Sequence, residues 1–211
     1  MNNNEFLEEL KKINIELTKE QKSQLEKFYQ LLIEWNKQIN LTRITDKEDV
    51  YLKHFYDSLT IAKVIDLSKI DTLCDVGTGA GFPGIVLKIV YPNLKITLVD
   101  SLQKRINYLN QITKELNLKD IKAIHRRGED YKETFDVVTS RAVANIETLV
   151  KYTMHLVNKK GIFIAMKGNI DNELTKPIEK KLSRKYKIIK IEKFQLPKEN
   201  SERSLVVITN K

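Results

Sequence analysis

Apolar residues give the chain two textures. In the first, Leu25, Phe28, Leu32, Trp35 and Ile39 recur every three or four residues, the spacing of one apolar helix face. Thr18 and Gln21 stand at capping-box distance ahead of that stripe and place the helix start there. Thr45 and Glu48 repeat the box and predict a second helix over 46–65, which carries Val50, His54 and the stretch HFYDSL. From residue 70 short apolar runs alternate with helical spacing. The strands expected are 72–76, 95–100, 121–126, 135–141 and 161–166, with helices over 83–91, 102–117 and 145–157. Such alternation reads as βαβ units on a parallel sheet. A basic helix near 170–183 follows, then two strands, 186–194 and 205–209, close enough to form an antiparallel pair at the sheet edge. The pattern predicts a doubly wound α/β sheet, parallel with an antiparallel edge strand. A helical N-terminal cap is expected over 1–66, and the α/β domain over 67–211.

Composition narrows the class. The 211 residues are 41% hydrophobic and 31% charged, with no apolar run near membrane-spanning length and no secretion signal at MNNNEFLEELKK. One cysteine, Cys74, excludes an internal disulfide framework and a Cys-rich zinc site. A cytoplasmic protein is the default. The net charge of +9 is uneven: residues 1–150 balance at 22 basic and 22 acidic, whereas residues 151–211 hold 15 basic against 6 acidic. A polyanionic partner such as nucleic acid is one explanation, and a solvated lysine-rich surface is the other.

Residues 75–84 read DVGTGAGFPG between a predicted strand and a predicted helix, the context in which a glycine loop approaches a ligand at a sheet's carboxyl ends. Pro83 suits the first helical turn. Asp100 ends the next strand, where an acid accepts from both hydroxyls of a ribose; NAD and S-adenosylmethionine share that ribose. Asp75 separates them, because a carboxylate at the strand tip repels a pyrophosphate and attracts a sulfonium and an ammonium. The competing reading is that Asp75 caps its own loop.

The fourth strand runs into SRAVAN (140–145), whose end faces the reacting group. No N/D-P-P-Y/F motif is present, and Cys74 sits inside a strand as a buried hydrophobe rather than a nucleophile. An acceptor that needs no deprotonation, such as guanine N7, fits a site governed by positioning. Arg141 can hold a carboxylate or a phosphate bidentately. Lys167, in the AMKG turn, can touch RNA phosphate. Arg141 and Lys167 are the candidate catalytic residues. His54, His125 and His155 lack metal-ligand spacing and read as structural, with an RNA-surface contact as the alternative for His54. No metal is expected. Asp57 reads as a helix cap.

With DVGTGAGFPGI, LVDSLQKR, SRAVAN and AMKG in order, and WNKQINLT and HFYDSL upstream, the chain closely resembles the bacterial 16S rRNA guanine-N7 methyltransferase family, formerly called glucose-inhibited division protein B. The resemblance implies a class I (Rossmann-like) methyltransferase fold with an N-terminal helical extension. It implies S-adenosylmethionine as donor, and 16S rRNA or a small-subunit assembly particle as partner. Separately from the resemblance, a monomer is the default expectation. Carried onto this sequence, the cofactor residues fall on Gly77, Gly79, Phe82, Asp100, Ser101, Gly128, Glu129 and Arg141. The RNA residues fall on Lys104, Arg127, Lys167 and Arg203. Three rival readings remain: an NAD-dependent oxidoreductase using the Gly79–Gly84 spelling, a non-catalytic RNA-binding module, and a methyltransferase of another substrate class.

Overall fold

The computed structural model describes residues 1–141 and 144–211; Ala142 and Val143, inside the SRAVAN stretch, lie outside the described residues. The chain begins with α1 (Asn3–Lys12), closed by an Asn2–Glu5 capping box. The long α2 (Lys19–Ile39) starts at the Thr18–Gln21 box. Leu25, Phe28 and Leu32 of its stripe are buried, whereas Trp35 and Ile39 are half-buried.

The third helical stretch is one rod of changing pitch. It consists of α3 (Lys47–Val50), a π-helical turn (Tyr51–Tyr56), α4 (Asp57–Leu59) and a 3-10 turn (Thr60–Lys63). Its cap is Asp46, whose side chain accepts from Asp49 N at 3.1 Å, rather than Thr45. Asp is as good an N-cap as Thr, and the Thr45 carbonyl is already taken by the Tyr29 hydroxyl. The missed α1 carried the same signal, a capping box ahead of Phe6 and Leu10.

The sheet holds β1 (Thr72–Val76), β2 (Lys95–Asp100), β3 (Ile121–His125), β4 (Phe135–Arg141), β5 (Val157–Lys167), β6 (Tyr186–Gln195) and β7 (Glu202–Asn210). Their spatial order is β3-β2-β1-β4-β5-β7-β6. β1 pairs in parallel with β2 and with β4, so the order reverses at β1. β7 is the one reversed strand; it runs antiparallel to both β5 and β6 and so lies one place in from the edge. The helices between are α5 (Gly84–Val90), α6 (Gln103–Glu115), α7 (Ile146–Thr153) and α8 (Lys176–Leu182). β5 begins earlier than its apolar run suggests, because Val157 already pairs with Phe135 and ends the helical stretch before it.

Each sheet face has its own core. One unites Phe6, Leu25, Phe28 and Phe55 of the N-terminal helices with Ile85, Leu87, Leu98 and Tyr108. The other lies under α7 and α8, around Phe163, Ile146, Leu149 and Leu182. Polar side chains of α2 lock the first packing. Gln21 donates to the carbonyls of Ile89 and Val90 at the end of α5, and Gln24 donates to Leu116 O just past α6. Carbonyls left over at helix ends are thereby satisfied.

Candidate functional site

The glycine loop leaves β1 at the point where strand order reverses, the usual ligand crevice of an open α/β sheet. Gly77, Gly79 and Gly81 have φ of 72°, 59° and 94°, a region unfavourable to residues with a Cβ. Asp75 is fully buried beneath the loop. Its Oδ2 accepts from Thr78 Oγ1 at 2.7 Å and from Gly84 N at 2.8 Å, while Oδ1 has no partner among the described residues. Burial pushes its carboxyl up to about 6. Asp75 therefore does cap its own loop. It is absent from the cavity lining, so any attraction it exerts on a ligand acts through the loop.

The loop's amides distinguish the cofactor classes more sharply. Gly77 N and Thr78 N donate to Val99 O, Gly79 N to Asp100 Oδ2, Gly81 N and Phe82 N to Thr78 O, and Gly84 N to Asp75. A pyrophosphate is held by free amides at such a turn. Six of them are engaged within the protein here, which suits an adenosine ligand without phosphates.

Above the loop lies a cavity of about 450 Å³, lined by Gly77, Gly79, Phe82, Asp100, Ser101 and Arg141 of the expected set. Leu41, Thr42, His54, Thr78, Ala80 and Arg105 complete it. Asp100 is buried and well oriented. Leu102 N donates to its Oδ1 at 2.9 Å, and Gly79 N and Arg105 Nη1 donate to its Oδ2 at 3.0 and 3.2 Å. Gly128 and Glu129 are not in the lining. They follow β3, tied to its neighbour through Arg126 N donating to Asp100 O, and Gly128 is wedged against Val76.

A second cavity, of about 470 Å³, adjoins the first and shares His54 and Arg141 with it. Its lining includes Lys53, Asp57, Met166, Lys167, Glu173, Phe194, Arg203 and Leu205. The second cavity thus gathers Arg141, Lys167 and Arg203, whereas Lys104 and Arg127 are exposed and line neither cavity.

Arg141 forms the wall between the two spaces. Nη1 donates to Lys53 O and to Asp57 Oδ2, both at 2.9 Å, and Nη2 lies 3.2 Å from His54 Nδ1. Its guanidinium sits 5.3 Å from the Phe82 ring centroid, and the His54 ring stacks on Phe82 at 4.5 Å. A guanidinium can only donate to His54 Nδ1, whereas the Lys53 carbonyl, 3.1 Å from the same nitrogen, can only accept from it, so the two contacts call for opposite ring tautomers; Nε2 lies 2.9 Å from Thr42 Oγ1. Burial and the adjacent Arg141 charge hold the imidazole down at about 3, neutral at physiological pH. Only 8% exposed, His54 is a wall residue of both cavities.

Asp57 is a correction to the sequence reading. It caps nothing; its second oxygen, Oδ1, accepts from Arg203 Nε at 3.0 Å, so one buried carboxylate bridges two arginines. The spacing HFYD held the signal, because residues three apart share one helix face; His54 lies in the π-helical turn and Asp57 opens α4. Lys167 is also less open than an RNA-facing lysine. It is 10% exposed, donates to Ala144 O at 2.6 Å and pairs with Glu173 at 3.0 Å.

Residues 21–206 match the family model GidB, rRNA small subunit methyltransferase G. Relatives described as "Ribosomal RNA small subunit methyltransferase G" include one from Macrococcus caseolyticus, 53% identical over 80% of this chain and 73% of the relative. Another, from Lysinibacillus sphaericus, is 45% identical over 98% of this chain and 90% of the relative. Solved structures of similar fold include an S-adenosylmethionine-dependent methyltransferase from Aquifex aeolicus, at TM-score 0.56, 16% identity, 77% of this chain and 93% of that one. Mitomycin 7-O-methyltransferase matches at TM-score 0.63, 14% identity, 87% of this chain and 60% of that one. With the family model spanning most of the chain and such relatives spanning nearly all of it, the chain belongs to the rRNA small subunit methyltransferase G family.

Proposed function

We propose that this protein transfers a methyl group from S-adenosylmethionine to N7 of a guanine in the 16S rRNA of the small ribosomal subunit. Membership of the family carries the enzyme class. Within the molecule, the observation that supports the reading is the joint wall of the two cavities, with Arg141 and His54 facing both. S-adenosylmethionine, when bound, supplies a methyl group on a positively charged sulfur.

The loop cavity suits that donor. Gly77, Gly79, Phe82 and Ser101 form its walls, and Asp100 is placed to accept from a ribose, with Arg105 the partner most easily displaced because its side chain is 33% exposed. Gly128 and Glu129, which follow the strand paired with β2, contact the adenine end in this reading. Of Arg141's five N–H donors, three are engaged by Lys53 O, Asp57 and His54, leaving two for donor or acceptor.

Guanine N7 has a free lone pair at neutral pH, so no group must remove a proton before transfer. The second cavity agrees with that chemistry. His54 is neutral but hydrogen-bonded on both nitrogens, and both oxygens of Asp57 are taken by arginines. Positioning does the work. Arg141 and Lys167 act as the catalytic pair by holding the base and its phosphate. Arg203, with three N–H groups beyond those given to Asp57 and Glu202, meets RNA at the cavity mouth. Lys104 and Arg127 extend the phosphate path. Residues 1–66 serve as a cap packed on the 67–211 methyltransferase domain, and the protein works as a cytoplasmic monomer on 16S rRNA or an assembling small subunit.

Mapping N7-methylguanine in 16S rRNA with and without the gene, by reduction, aniline cleavage and primer extension, tests the assignment. The expected result is one cleavage stop that disappears with the gene. An unchanged set of N7-methylguanines refutes the substrate, and calorimetric binding of NAD without S-adenosylmethionine refutes the donor.

A further inference from the structure

An N7 methyltransferase acting on guanine faces a selection problem, because adenine carries an equivalent N7. The two purines differ beside N7, where guanine carries O6 and adenine an amino group, and again on the Watson–Crick edge, where guanine alone offers N1–H and a 2-amino group as donors. A purine that turns N7 toward the donor cavity turns its Watson–Crick edge away from it. A group that accepts from N1–H and the 2-amino group therefore lines the second cavity and not the first.

Two carboxylates line the second cavity, Asp57 and Glu173. Asp57 has an arginine on each oxygen. Glu173 uses Oε2 for Ile146 N at 3.1 Å and for Lys167 Nζ at 3.0 Å, and Oε1 has no hydrogen-bond partner among the described residues. Its side chain is 29% exposed, within reach of a ligand. Lys167 keeps one N–H beyond those given to Glu173 and Ala144 O, a donor suited to O6. Met166 and Leu205 form a buried apolar floor, and the half-buried Phe194 adds an aromatic wall. Enzymes that modify a base hold it extruded against such walls and read its Watson–Crick edge.

We propose that the second cavity takes the target guanine as a single base turned out of the RNA, stacked on Phe194, with its N1–H and 2-amino group read by Glu173. The proposal rests on the methyltransferase reading above and adds how guanine is chosen. Adenine would bring the lone pair of its N1 against the same carboxylate and be rejected.

The test uses the full chain and small-subunit particles reconstituted with the mapped guanine or with inosine, which lacks the 2-amino group, at that position. The wild-type protein is expected to methylate guanine about 10-fold or more faster in kcat/KM than inosine, the loss of one hydrogen bond to a charged group. Glu173→Gln is expected to lower kcat/KM on guanine and shrink the guanine-to-inosine ratio toward one, with S-adenosylmethionine affinity by calorimetry unchanged. Phe194→Leu is expected to raise KM for the particle and keep the ratio. Equal rates on guanine and inosine with the wild-type protein overturn the proposal, as does a wild-type ratio in Glu173→Gln. The wild-type comparison needs no variant, so misfolding of Glu173→Gln leaves the test intact. Failure of the underlying function is distinct: the wild-type protein then makes no N7-methylguanine on unaltered particles.

Discussion

Asp57 and His54 do more to shape the site than any residue of the glycine loop. Asp57 holds Arg141 and Arg203 on its two oxygens, and removing it leaves two half-buried cations without their counter-charge. Asp57→Ala is expected to lower unfolding free energy by about 3 kcal/mol, the scale of breaking a buried pair, and to abolish methyl transfer; urea titration and a methylation assay measure both. A stability within 0.5 kcal/mol of wild type, on the order expected for a surface change, would show that the bridge carries no load. His54 gives a pH signature. Its native value near 3 lies below the ordinary 6.5, so the unfolded chain binds the extra proton first and folding loses stability as pH falls below 6.5. Asp75, raised to about 6, acts in the opposite sense between its ordinary value and 6, gaining stability as pH falls. The His54 contribution is isolated by comparing wild type with His54→Gln. The wild-type advantage is expected to shrink by about 1 kcal/mol per pH unit between 6 and 4. A pH-independent difference in urea-derived stability would contradict the buried neutral ring.

At the scale of elements, the donor cavity depends on how closely α5 approaches β1 and β2. A Cβ built on Gly84 would lie 2.2 Å from Leu98 Cδ2 and 2.9 Å from Asp75 Oδ2. Gly84→Ala therefore pushes the first turn of α5 off the sheet and loosens the Asp75 cap on the loop. The expected outcome is a loss of about 1–3 kcal/mol in stability, with weaker S-adenosylmethionine binding in calorimetry; unchanged donor affinity would mean the loop tolerates the shift. Pattern reading located these elements well because βαβ alternation and capping boxes are local signals. It missed α1, misplaced the cap of the third helical stretch and did not foresee the π-helical turn. Periodicity counts residues at 3.6 per turn, and a π-helical turn is a local departure from that count.

For the molecule as a whole, the uneven charge carries a consequence for binding. Lys176, Lys180 and Lys185 are exposed and make no ion pair among the described residues, so they are available to phosphates. Changing all three to Glu is expected to weaken rRNA binding and to flatten the plot of log affinity against log salt by about 0.7–0.9 per lost phosphate contact. S-adenosylmethionine affinity is expected to stay the same. Filter binding across a salt series checks this, and an unchanged slope would assign these lysines to solvated surface. The N-terminal helices share one core with the sheet, so residues 1–66 are an integral wall: Thr42 and His54 reach the donor cavity from there.

The order of helices and strands from α2 onward, the glycine loop, the acid ending β2 and the family were legible in the chain, because each is written in residues close in sequence. Of the residues singled out that way, Gly77, Gly79, Phe82, Asp100, Ser101 and Arg141 line one cavity, and Gly128 and Glu129 do not. Tertiary structure alone decided the rest. It brought Asp57 to Arg141 and Arg203 across 84 and 146 residues, buried the charge of Asp75, and tied Lys167 to Glu173. Charge pairing and desolvation depend on which distant side chains share a space, and no local spacing encodes that.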